Sequence, residues 1–137
     1  MHPLFQAHGQ AEVELTDAIL TVHMRGDWNV EMRTQTAQAM QRHIPQLNAT
    51  GPWGIINVLH DTLVFGEAIY AETRRDYAAR PPHSKLQAVA FVLSPTAEGG
   101  RIMASRFESL LQDIIPSKVF SDIAQARSWT VEQLQPP

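Results

Sequence analysis

The sequence predicts an α/β fold with a mixed five-stranded sheet, and three observations carry that prediction. Short apolar runs recur at Ala18–Met24, Trp53–Leu59, Leu86–Leu93 and Lys118–Phe120. Segments with helical spacing follow each of them. An alternating apolar and acidic segment, Ala11–Leu15, precedes the first run. Strands alternating with helices are the mark of βα units and parallel pairing. The expected order is β-β-α-β-α-β-α-β-α.

In the first strand Ala11, Val13 and Leu15 share one face, while Glu12 and Glu14 share the other. That alternation describes a strand with one solvated side. Thr16-Asp17 supplies turn chemistry, and so short a turn forces the next strand to be antiparallel. The second strand places Leu20, Val22 and Met24 on one face and Ile19, Thr21, His23 and Arg25 on the other. Asp27 or Asn29 is expected to cap the first helix, with Glu31 near its positive end. Trp28, Met32, Met40 and Ile44 form its apolar stripe, and Pro45 marks its expected end.

The third strand is apolar apart from Asn57. A helix follows with Phe65, Ile69, Thr73 and Tyr77 at intervals of four. The fourth strand reads as buried on both faces. Met103, Phe107, Leu110, Leu111 and Ile114 then form a helical stripe. After Pro116 and the short fifth strand, Asp122 caps a last helix whose Ile123, Ala126, Trp129 and Leu134 are expected to face inward. With right-handed crossovers the helices fall mainly on one sheet face. The other face, holding Thr21, His23 and Arg25, is then expected to be open and available for a homodimer.

The chain has 137 residues, 44% of them hydrophobic, and a formal charge of −3. Residues 1–137 are read as one domain, with residues 1–9 an N-terminal extension. Cysteine is absent, which excludes disulfides and thiolate metal sites and agrees with a cytoplasmic protein. No basic footprint for nucleic acid is present, and no apolar stretch is long enough for a membrane span. The N-terminus lacks the pattern of a signal peptide. The six histidines are dispersed, with no metal-ligand spacing, and no serine nucleophile elbow occurs. No metal, cofactor or catalytic set is therefore expected.

The segment Lys118-Val119-Phe120-Ser121-Asp122, followed by Ala124, Ala126 and Trp129, resembles the SpoIIAA-like proteins. These are small bacterial relatives of the STAS superfamily of anti-sigma-factor antagonists. The Gly26-Asp27-Trp28 exit from the second strand is similar as well, and the likeness spans about residues 10 to 134. It implies a βα superhelix with its helices on one side of the sheet. In antagonists of that superfamily a phosphorylatable serine follows an aspartate after the third strand. Asp61-Thr62 stands at the matching place, although Leu63, Val64 and Phe65 follow where the family has a second small residue and glycine. Other relatives resemble CRAL-TRIO-type lipid carriers.

Two candidate sites follow. His60, Asp61 and Thr62 lie at the carboxyl end of a parallel strand, where open α/β sheets place ligands. A phosphate on Thr62 would meet a helix N-terminus. Thr96, Gly99, Gly100 and Arg101 follow the next strand; glycines admit a close ligand and arginine pairs with an anion. Phe65, Ile69, Tyr77, Met103 and Phe107 are expected either to pack the core or to line a pocket between the second and third helices. The leading reading is a non-enzymatic binding or regulatory module for an apolar small molecule or a regulatory protein. A phospho-switch at Thr62 is the first alternative, and an enzyme of unrecognised type the second.

Overall fold

The computed structural model describes residues 10–26, 29–60, 67–93 and 100–136. Five strands, β1 (Gln10–Thr16), β2 (Ile19–Arg25), β3 (Trp53–His60), β4 (Leu86–Leu93) and β5 (Ser117–Phe120), form one sheet in the order of the chain. The β1–β2 pair is antiparallel, and the three remaining pairs are parallel. Among the described residues five helices accompany them: α1 (Val30–Gln41), α2 (Ile44–Thr50), α3 (Glu67–Ala78), α4 (Gly100–Leu110) and α5 (Ile123–Leu134). The expected mixed α/β sheet is present, with one short helix more than the sequence suggested.

Local chemistry explains the punctuation. Asp17 carries a φ of 55° in the β1–β2 turn, a region Asp tolerates better than most residues. Asn29 caps α1 by accepting from the Met32 N–H at 2.9 Å. Helix α1 stops at Gln41, short of the end expected at Pro45, and Ile44, expected in its stripe, opens α2 instead. Pro45 sits in the first turn of α2, where a missing N–H costs nothing. Helix α2 ends at Gly51, whose φ of 139° suits glycine. Asp122 caps α5 by accepting from the Ala124 N–H at 2.8 Å.

Because strand order equals chain order, crossovers of one hand bring α1 to α4 onto one face. There the main core forms, with Leu20, Val22, Ile55, Val89, Phe91, Phe107 and Leu111 at its centre. Helix α5 is not a crossover, so that rule does not bind it. It turns onto the opposite face and builds a second core of Ile19, Ile56, Val58, Ala90, Val92 and Ala126, with Trp129 and Leu134 beside it. The expectation of an open second face is therefore corrected: α5 packs over β3 to β5 and helps to bury Ile19 of β2. Thr21, expected to be exposed there, is 2% exposed.

Within α5 the inward set also differs. Ile123 is 38% exposed, and Thr130 takes an interior place at 0%. Its hydroxyl is satisfied within the helix, donating to the Ala126 carbonyl at 2.8 Å. Thr130 packs over Gly54, where a Cβ would stand 2.6 Å from its Cγ2. The absence of a side chain at Gly54 sets how closely helix and sheet approach.

Candidate functional site

On the main-core face, α1 and α2 stand apart from α3, and a cavity of about 940 Å³ opens between them above β3. Its walls are largely apolar: Met24, Met40, Ile44, Ile55, Phe91 and Phe107. The strand pattern supplies the floor, since alternate residues Trp53, Ile55 and Asn57 project to this face. Phe107 of α4 packs on Phe91 with ring centroids 4.6 Å apart, closing the far wall.

A few polar groups interrupt this lining. Asn57 is 7% exposed and meets the Tyr77 hydroxyl from α3. Burial pushes the Tyr77 phenol up to about 12, against the opposing pull of that hydrogen bond. At neutral pH the pair is therefore a neutral polar spot in an apolar recess. Arg33 of α1 spans the gap to α3, pairing with Glu72 at 3.2 Å and with Asp76. Its Nε is buried and has no hydrogen-bond partner among the described residues. Arg80, just past the end of α3, lines the cavity and donates to the backbone carbonyls of Tyr77 at 2.8 Å and Ile114 at 3.3 Å. Asn48 of α2 fixes the end of the recess by accepting from Trp53 Nε1 at 2.7 Å and from the Lys85 N–H at 2.8 Å.

The cavity lies one helix away from the place expected from sequence. Tyr77 and Phe107 line it, as foreseen for a pocket, whereas Ile69 and Met103 do not. Ile69 is buried, and Met103 is half-buried against the main core. At the α3–α4 edge itself, Arg106 forks onto Glu67 at 2.6 and 2.8 Å and lies 4.2 Å above the Tyr70 ring. That hydrogen bond holds the Glu67 carboxyl below the usual carboxylate range. Asp61, Thr62, Phe65, Thr96 and Gly99 lie outside the described residues. Gly100 and Arg101 fall in the first turn of α4. The parallel register, with Leu59 opposite Leu93, brings the ends of β3 and β4 to one rim.

His60, at that rim, is joined to two residues that sequence reading treated as separate. His23 Nδ1 lies 2.8 Å from His60 Nε2, and His23 Nε2 lies 2.8 Å from Glu14 Oε1. The two rings stack with centroids 5.1 Å apart. Glu14 accepts from His23 Nε2, which leaves His23 Nδ1 to accept from His60 Nε2. No group of three ligating side chains able to hold a metal occurs among the described residues. Nor is any described helix long and apolar enough to cross a membrane.

No family model matches the chain, and no curated protein matches it. Among solved structures, its fold is similar to that of an anti-sigma factor antagonist from Mycobacterium paratuberculosis. The TM-score is 0.51 at 15% identity, covering 92% of this chain and 97% of the other. The likeness bears out the fold read from the C-terminal motif.

Proposed function

We propose that this chain is a non-enzymatic regulatory module that holds an apolar small molecule in the cavity between α1–α2 and α3. One observation carries the reading. A recess of about 940 Å³, part open to solvent and with aromatic, methionine and aliphatic walls, sits at the upper end of ligand-pocket sizes. An apolar occupant would recover the dispersion and burial that the walls forgo. The test is uptake of Nile red by the purified chain, with native mass spectrometry for a co-purifying molecule. Saturable uptake that Thr73→Trp abolishes supports the reading, since Thr73 lines the cavity. A bare mass together with no saturable uptake overturns it.

The likeness to an anti-sigma factor antagonist favours a second reading, in which the chain regulates a protein partner. Its contact surface would be the rim at the ends of β3 and β4, where His60 stands, with phosphorylation of Thr62 as the switch. Intact-mass analysis of the chain from its own cells is the measurement. A phosphate mapped to Thr62 supports this reading; an unmodified chain under all growth conditions removes the switch.

A further inference from the structure

The cavity's charges point to the class of molecule it takes. Two arginines line it, and they differ in their counter-charges. Arg33 faces two carboxylates, Glu72 and Asp76. Among the described residues Arg80 meets no carboxylate, and its partners there are the backbone carbonyls of Tyr77 and Ile114. Asp76, in the last turns of α3 and four positions before Arg80, is taken by Arg33. A guanidinium offers five N–H donors in a fork matched to a carboxylate, and Arg80 spends two of them. It is half-buried, and the N–H groups it does not spend on those carbonyls are left for an acceptor.

The recess is also long. It extends along β3 from Trp53 to the level of Met24, which pairs with Leu59. At ~3.3 Å per strand residue this is roughly 20 Å. Arg80 lies toward the end marked by Asn48, Ser84 and Leu86, and Phe107 and Tyr70 lie toward the other. A single cationic end on an elongated apolar trough selects an elongated molecule with a single anionic end.

Building on the cavity reading above, we infer that the ligand is a long-chain carboxylate of the fatty-acid class, its head on Arg80 and its chain along Ile55 and Phe91 toward Phe107. The carboxylate accepts forked hydrogen bonds from the guanidinium, and the neutral Asn57–Tyr77 pair lies beside the chain.

The experiment is calorimetric titration of the full chain with palmitate and with hexadecanol, which share a chain length and differ in charge. Palmitate is expected to bind at least tenfold more tightly. Arg80→Gln is expected to bring palmitate to the level of hexadecanol and leave hexadecanol unchanged, while Arg80→Lys keeps part of the preference. If Arg80→Gln does not fold, salt dependence in the unaltered chain replaces it: added salt must narrow the ratio. Equal affinity for the acid and the alcohol, a ratio that survives Arg80→Gln, or a ratio indifferent to salt overturns the carboxylate inference alone. Binding of neither molecule overturns the cavity reading as well.

Discussion

Substituting Gly54 by alanine tests how α5 is seated. The new Cβ would stand 2.6 Å from Thr130 Cγ2 and 3.3 Å from the Ala88 carbonyl oxygen. Carbon atoms prefer ~3.5–4.0 Å, so α5 must retreat by about 1 Å or Thr130 must turn. Turning breaks the hydroxyl's bond to Ala126, and Thr130 is fully buried. Overpacking of this kind costs roughly 1–3 kcal/mol. Loss of glycine's freedom in the unfolded chain returns about 0.4–1 kcal/mol. The net expectation is a loss of about 1–2 kcal/mol, seen as a melting temperature lower by about 3–10 °C for a domain of this size. Thermal unfolding followed by circular dichroism gives the number. Thr130→Ser removes the clashing methyl at a cost of about 0.8 kcal/mol by itself. Combined with Gly54→Ala, it should destabilise less than the two single changes added together. A Gly54→Ala chain that melts at or above the parent, or a strictly additive double variant, would show that this contact does not set the helix–sheet distance.

Three further outcomes follow from the same packing. Asp122→Ala removes the side-chain acceptor from the start of α5 and should cost about 1 kcal/mol in urea unfolding. Leu111→Ala empties a site with 0% exposure and should cost about 2–5 kcal/mol, with the unfolding midpoint moving and the denaturant slope unchanged. Tyr77 binds its proton more tightly folded than unfolded. Stability contributed by this group is thus intact below pH 10 and is lost as pH rises from 10.0 toward about 12. Tyr77→Phe should flatten that part of a stability–pH profile.

Much of the fold is legible because its signals are local. The β4 limits read from the apolar run Leu86–Leu93 agree with the structure, and Asn29 and Asp122 cap the helices assigned to them. Pro45 was read only as a stop, yet a residue without an N–H begins a helix equally well. The inward place of Thr130 escapes hydropathy, since its hydroxyl is satisfied by its own helix. Helix α5 is on the second face because it connects no strands, and no periodicity records that choice.

The candidate site was harder to read for the same kind of reason. Met40, Phe91 and Phe107 would serve a solid core or a hollow one, and only the spacing between α1 and α3 separates the two. Arg33 and Asp76 are 43 residues apart in the chain. His23 and His60 are 37 apart and meet through the β2–β3 register, which places Arg25 opposite His60. Knowing that β2 and β3 are parallel neighbours, with both histidines near their carboxyl ends, was the signal available.

The unbroken β1-to-β5 succession bears on how the molecule comes into being. Each strand emerging from the ribosome finds its neighbour already made, so the layer can be laid down one ribbon at a time without waiting for distant chain. Local pairing of this sort shortens the search and favours rapid assembly. The second side is different: Ile19, Ile56 and Ala90 stay uncovered until α5 has been synthesised. A nascent chain halted before that helix carries a greasy patch, and translation of α5 is what removes it.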